Sequence, residues 1–318
     1  VPQIGWRDPA TGKTESFEYW LAEAEAYGSA LDMPFEVLAG LHSQMDRSGR
    51  PDGISATMLL GCPRKAYFDK HIDYYAEPLE NWASFRGTLA HSIIEKYAPK
   101  DAMVEKRYWR MFKGVAVSGQ IDSWRIIGAP VELTLEWDAW LEDMYAWEQG
   151  GSVGDQPVQP VLPKGARFLV RDWKTKHDLP NFTYLASGHQ KQGNLYIWLL
   201  RIPKDEVDTE FIYITMQGVK IMKLFNGGTY RNGRAKPEQY WTQRQTTAFL
   251  DDRLLSLAAS MKLDRPIPYD KVDDDDLWNC NYCPAKQDCY KRAATEQFEA
   301  WQKGGSTERV TPRDRLPK

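Results

Sequence analysis

The chain carries cysteines at 62, 280, 283 and 289, and three of the four fall inside "CNYCPAKQDCY". The pattern is C-x2-C-x5-C with one distant partner, Cys62 in "GCPRKAYFDK"; the short C-x2-C spacing points two sulfurs at one point, a metal-ligand geometry, the alternative being unrelated buried thiols or two disulfides. Four thiolates suit zinc or an iron–sulfur cluster alike. The histidines stand at 42, 71, 91, 177 and 189, none close in sequence to the C-terminal group. A secreted disulfide protein of this size would spread its cysteines through its loops. A cluster joining residue 62 to residue 280 would act as a clasp. By the loop-closure relation for disulfides, it would constrain the unfolded chain by about 5 kcal/mol.

A second set of residues is charged. In "RDWKTK", Asp172 and Lys174 are two apart on an expected strand and so share one face. Asp122, in "SGQIDSW", lies near the end of an earlier strand. Two carboxylates from neighbouring strands with a lysine beside them suit a hard divalent cation, because Mg2+ takes carboxylate oxygens and waters and leaves positions for phosphate. The lysine would orient an attacking water and offset developing negative charge. By itself D-x-K is a weak signal, since charged strand ends are common. "GTLAH" adds Gly87 and His91 one helical turn apart, and "QGNLY" adds Gln192 and Tyr196 at the same spacing. An imidazole can complete a metal site.

The elements that position these residues alternate between two periods. "NWASFRGTLAHSIIEKYA" repeats its apolar residues at helical spacing, and Ser55 is placed to cap the helix of "SATMLLG". Pro63 breaks that segment or opens a new helix at its first turn. "MVEKRYWRMF" and "GVAVSGQIDSWRII" read as strands, as does "RFLVRDWKTK", and "VELTLEWDAW" reads as a strand or a strand running into a helix. "FTYLASGHQKQGNLYIWLLR" and "PEQYWTQRQTTAFLDDRLLSLAASMK" read as helices, with a hairpin from "EFIYITM" and "KIMKLF" between them. Residues 1–54 form an N-terminal extension ending in the turn-rich "DRSGRPDG". Residues 148–166, rich in Gly and Pro, form an exposed loop, and 293–318 form a polar tail.

A 318-residue chain with 42% hydrophobic and 27% charged residues belongs to the ordinary globular class and can bury a large core. No run of eighteen apolar residues exists to cross a membrane. The opening "VPQIGWRDPATGK" has no basic segment followed by an apolar stretch, so the expected location is cytoplasmic. A net charge of −3 does not mark a nucleic-acid binder, but the field that matters for one is local to its cleft.

Taken in order, the chain reads Cys62, G-x3-H (87–91), G-x-x-D (119–122), D-x-K-T (172–175), Q-x3-Y (192–196), then C-x2-C-x5-C. This series resembles the RecB-like branch of the PD-(D/E)XK nucleases over residues 55–292. More narrowly, it resembles the iron–sulfur members: the AddB-type nuclease domain and the CRISPR-associated nuclease that trims new spacers. The resemblance implies an α/β fold, a mixed central β-sheet flanked by helices as in restriction endonucleases. It further implies that His91, Asp122, Asp172 and the Trp173 carbonyl bind Mg2+ or Mn2+, that Lys174 serves the nucleophilic water, and that Gln192 and Tyr196 position the strand or support the lysine. Cys62, Cys280, Cys283 and Cys289 would hold a [4Fe–4S] cluster, chiefly structural, as an iron–sulfur clasp joining the N- and C-terminal segments. One departure is the long stretch between Asp122 and Asp172, an insertion at about 129–166, where the family uses a short connection. It is placed to cap the cleft, bind a partner or restrict the substrate to single strands. A rival motif boundary would instead make Glu132 or Glu136 the metal ligand, although D-W-K-T is the better match.

The expected activity is that of a metal-dependent deoxyribonuclease, an exonuclease hydrolysing single-stranded DNA or frayed ends in DNA repair, recombination, spacer acquisition or viral DNA processing. No G-x4-G-K-[ST] phosphate loop is present, so a separate helicase, or a recombination or adaptation protein, is the expected partner. Arg64, Lys65, Arg86, Lys174 and Lys176 are candidate phosphate contacts, and Tyr67 or Phe68 could stack on bases, although a core role is the better reading of both. The rival classes are a catalytically silent DNA-binding module and a metal-stapled scaffold.

Overall fold

Local chemistry starts the elements where the side chains dictate. Ser16 caps the first helix by accepting a hydrogen bond from Tyr19 N–H at 3.3 Å, and Gly28 ends it at φ +82°, a conformation that favours glycine. Ser55 Oγ accepts from Met58 N–H at 3.2 Å, and Pro63 opens the next helix at its first position, where a missing N–H costs nothing. The computed structural model describes residues 4–31, 33–45, 53–71, 74–76, 82–150, 154–180, 185–227, 238–262 and 289. Cys280, Cys283 and the tail from 293 lie outside the described residues.

In chain order the first elements are β1 (Ile4–Arg7), β2 (Thr14–Ser16), α1 (Phe17–Tyr27), β3 (Ser29–Ala30), β4 (Met33–Pro34), α2 (Phe35–Met45), β5 (Ile54–Ser55) and α3 (Ala56–Leu60). Then come α4 (Pro63–His71), β6 (Tyr74–Ala76), α5 (Trp82–Lys96), β7 (Met103–Phe112) and β8 (Val115–Ile127). The last are α6 (Val131–Gln149), β9 (Arg167–Thr175), α7 (Ser187–Leu199), β10 (Val207–Thr215), β11 (Gly218–Lys223) and α8 (Gln243–Lys262). No described helix is long and apolar enough to cross a membrane.

The chain divides into two units. The first comprises Val1–Pro51, Gly61–Arg86 and Asp252–Lys318. It has its own core of Trp6, Phe17, Trp20, Ala24, Leu38 and Leu41, with β1 pairing antiparallel to β2 and parallel to β6. The segment read from sequence as an extension is therefore a packed structure.

The second unit, Asp52–Leu60 with Gly87–Asp251, is a mixed sheet with helices packed on it. Its order is β11-β10-β9-β8, with β7 along one side of β8 and the short β5 beside the start of β8. β10 runs parallel to β9, and β5 to β8; the other pairs are antiparallel. A two-residue turn, Lys113-Gly114, with φ +49° and +80°, joins β7 to β8, as a tight primed hairpin turn requires.

"VELTLEWDAW" forms the start of α6, not a strand. Leu133, Trp137, Trp140, Leu141 and Met144 fall on one helical face and are buried in the main core with Trp124, Phe168 and Val170. Trp124 Nε1 donates to Tyr108 OH at 2.8 Å, which donates to Asp138 at 2.7 Å, tying the sheet to α6. Trp140 Nε1 donates to the Pro157 carbonyl and Trp147 Nε1 to that of Gly154, strapping the following loop to the helix. Much of the stretch expected as an insertion is thus scaffold. Glu132 and Glu136 lie on the exposed face of α6, which removes them as rival ligands.

Candidate active site

The site forms where β8 and β9 part. These strands pair from Ile127 with Arg167 as far as Ser123 with Arg171, so Asp122 and Asp172 are the next residues across the fork. Beyond it, β9 stays paired with β10 through Thr175, while β8 continues beside β5 at Val117 and Ser118. The fork leaves ladder groups that side chains must satisfy. Trp173 N–H donates to Asp122 Oδ2 at 2.7 Å, and the Trp173 carbonyl faces His91 Nε2, on α5, at 3.3 Å.

Helix α7 covers the fork. Gln192 Nε2 donates to Asp172 Oδ1 at 3.0 Å, and Tyr196 OH donates to the same oxygen at 3.3 Å. The helix lies so close to β8 that a Cβ on Gly119 would sit 2.6 Å from Leu199 Cδ1. That proximity is the physical reason for glycine in "SGQID". Lys174 Nζ forms an ion pair with Asp172 Oδ2 at 2.6 Å. Asp172 is only 1% exposed, so this carboxylate is desolvated with Lys174 as the partner of its second oxygen.

His189, one turn before Gln192, stacks on Phe211 and lies with Nδ1 2.6 Å from Tyr213 OH. Burial, then the positive charges of Lys174 and Lys176, lowers its pKa to about 4, so it is neutral where Lys174 works.

The electrostatics are those of crowded carboxylates. Burial first, and repulsion from Asp172 second, push Asp122 up to about 7. Burial likewise raises Asp172, against the opposing pull of Lys174. His91 is raised, chiefly by its hydrogen bond to Glu105. Burial would lift Glu105, but hydrogen bonds with His91 and from Gln120 outweigh it and hold the carboxyl below its ordinary range.

The structure thus brings His91, Asp122, Asp172, Trp173, Lys174, Gln192 and Tyr196 together around one fork. An octahedral Mg2+ with ligands at about 2.1 Å sets neighbouring ligand atoms roughly 3 Å apart and opposite ones roughly 4 Å apart. His91 Nε2 lies 3.3 Å from the Trp173 carbonyl and 3.9 Å from Asp122 Oδ2. Those spacings fit a divalent cation, and Asp172 is the neighbouring carboxylate across the fork, paired with Lys174 Nζ at 2.6 Å. His91, Glu105 and Asp122 also offer three ligand atoms within 4.8 Å of one another.

Glu105 was not among the residues expected from sequence. It sits inside "VEKRYW", whose aromatic and charged residues say strand and nothing more. The register of β7 on β8, Val104 with Ser123 and Lys106 with Ile121, leaves Glu105 opposite Asp122. Its φ of +48° interrupts the strand, a conformation that costs a non-glycine residue about 1–2 kcal/mol. Such strain is found where surrounding structure imposes it, often at functional sites.

Of the thiols, Cys62 and Cys289 lie among the described residues, and no disulfide joins these two. Arg64 is fully buried, and its Nε donates to Cys289 Sγ at 3.2 Å. That burial overturns the expectation that Arg64 contacts phosphate. Phe68, 5% exposed, is likewise a core residue and not a stacking platform, while Arg86 and Lys176 are exposed.

No protein-family model matches the chain, and no curated protein matches it. Among solved structures, one titled "Crystal structure of SSO0001" is similar at 15% identity and a TM-score of 0.44, over 79% of this chain and 92% of that one.

Proposed function

We propose that the chain is a metal-dependent deoxyribonuclease of the PD-(D/E)XK type, a RecB-like exonuclease acting on single-stranded or frayed DNA ends in repair, recombination or DNA processing. The observation that carries this reading is the convergence at one fork of His91 Nε2, both aspartates, the Trp173 carbonyl and Lys174. They come from three separate stretches of the sequence, around 91, 122 and 172–174, and are of the types that phosphodiester hydrolysis needs.

In this reading His91, Asp122, Asp172 and the Trp173 carbonyl would hold Mg2+ or Mn2+. Such an ion supplies Lewis-acid stabilisation of the phosphoryl charge and a more acidic bound water. Gln192 and Tyr196, both donating to Asp172 Oδ1, fix that carboxylate and aim its other oxygen toward Lys174. Lys174, beside Asp172, brings the positive charge that steadies an attacking water and the developing phosphoryl charge. Water adds to phosphorus, one P–O ester bond breaks, and a phosphomonoester and a hydroxyl result. The exposed Lys176 lies next along the strand, where it would meet the nucleic-acid backbone.

The four cysteines would hold a [4Fe–4S] cluster as a structural clasp. The buried Arg64 donates to Cys289 Sγ and to the Cys289 carbonyl, contacts that suit a thiolate at that position. The preference for iron over zinc rests on the family resemblance. A separate helicase or recombination protein would open the duplex.

The test is digestion of end-labelled single- and double-stranded oligonucleotides by the full chain with Mg2+, Mn2+ or chelator, alongside Lys174→Ala. Metal-dependent cutting that Lys174→Ala lowers at least about 100-fold, with DNA binding retained, supports the enzyme. Tight DNA binding without cutting by the unmutated protein would make it a silent module, and neither activity would leave a scaffold.

A further inference from the structure

On the reading that His91 serves a cation through Nε2, we propose that Glu105 is the positioning residue that holds His91 in that role, and is not itself a metal ligand. The argument starts from the two ring nitrogens. Nδ1 lies 2.6 Å from Glu105 Oε1, whereas Nε2 faces the Trp173 carbonyl and Asp122. An ionised carboxylate only accepts hydrogen bonds, so Nδ1 carries the proton in this pair, and Nε2 is the nitrogen left to ligate. The short Nδ1–Oε1 separation is that of a charge-assisted hydrogen bond and is tighter than the roughly 3 Å between neighbouring ligands on an octahedral ion.

The second carboxylate oxygen is also committed. Gln120 Nε2 donates to Glu105 Oε2 at 2.7 Å, and Arg107 in turn donates to Gln120 Oε1 at 3.4 Å and to Ser118 Oγ at 3.1 Å. A chain of hydrogen bonds therefore runs from Arg107 through Gln120 and Glu105 to His91, laid across β7 and β8. The left-handed φ of Glu105, opposite Asp122 in the register, accompanies this aim of its side chain at α5. Carboxylate–histidine pairs of this kind fix the tautomer and orientation of a ligating ring, and losing the carboxylate costs 10–100-fold in metal affinity.

The experiment titrates Mn2+ into the full chain and follows the free-ion paramagnetic resonance signal, with Glu105→Gln, Glu105→Ala, Gln120→Ala and Asp122→Asn compared. Melting curves confirm that each variant is folded, and the isosteric Glu105→Gln carries the test if Glu105→Ala does not fold. The expected result is one site in every Glu105 variant, weakened by about 10-fold in Glu105→Gln, which keeps an acceptor for Nδ1–H, and by up to about 100-fold in Glu105→Ala. Gln120→Ala should weaken binding by a few-fold only. Wild-type affinity in Glu105→Gln and Glu105→Ala overturns the inference. So does loss of the site in Glu105→Gln as complete as in Asp122→Asn, which would make Glu105 a ligand. A wild-type protein that takes up no Mn2+ overturns the metal site itself and the inference with it, whereas normal wild-type uptake with unchanged Glu105 variants overturns the inference alone.

Discussion

Asp122→Asn should make the metal-stripped protein more stable. Asp122 is 9% exposed, and burial with the neighbouring Asp172 lifts it from 3.8 to about 7. A carboxyl whose folded pKa is raised keeps its proton in the native state while the unfolded chain has released it. The native state is therefore penalised progressively from about pH 4 to about pH 7, and fully above that. At about 1.4 kcal/mol per unit, the full shift is worth roughly 4 kcal/mol. Relaxation and proton sharing with Asp172 bring the expected gain to about 2–4 kcal/mol at pH 8. Asparagine keeps an oxygen to accept the Trp173 N–H, so the local hydrogen bond survives. The gain corresponds to a rise in Tm of roughly 5–10 °C, read by scanning calorimetry in chelator. At pH 5 it should fall to less than half. A variant equally stabilised at both pH values, or destabilised at pH 8, would refute the electrostatic reasoning.

Two further expectations concern the scaffold. Gly119→Ala drives a methyl into Leu199 and should cost about 1–3 kcal/mol while displacing Gln192 and Tyr196, with cleavage and Tm falling together; adding Leu199→Ala should restore part of both. Protein purified without oxygen should be brown, and Arg64→Met should lose most of that visible absorption, as should Cys280→Ala along with solubility. Colourless wild-type protein with stoichiometric zinc would refute the iron assignment.

The sequence made the fork legible because its chemistry is local. D-W-K-T puts an acid and an amine on one strand, Q-x3-Y puts two polar tips on one helical face, and Ser55 and Pro63 mark helix starts by capping and by a missing N–H. The succession of helices and strands followed from the change of hydrophobic period, and the mixed sheet from the resemblance. Other features depended on tertiary partners that one-dimensional pattern does not carry. "VELTLEW" alternates like a strand over a few residues, but the spacing of Leu133, Trp137, Leu141 and Met144 fits one buried helical face. Glu105 has no motif, since its role arises from strand register and a positive φ. Arg64 read as surface charge because basic residues usually are, whereas the fold buries it against a sulfur. Residues 1–51 read as an extension because their turn-rich end resembles a linker, while their tryptophans pack a core of their own.

Crystals of the full chain grown with Mn2+, with anomalous scattering measured at the manganese edge, test the metal site most directly. A single strong peak within about 2.3 Å of His91 Nε2, Asp122 Oδ2, Asp172 Oδ2 and the Trp173 carbonyl is expected. Manganese bound elsewhere, with no peak between those four groups, would contradict the nuclease reading.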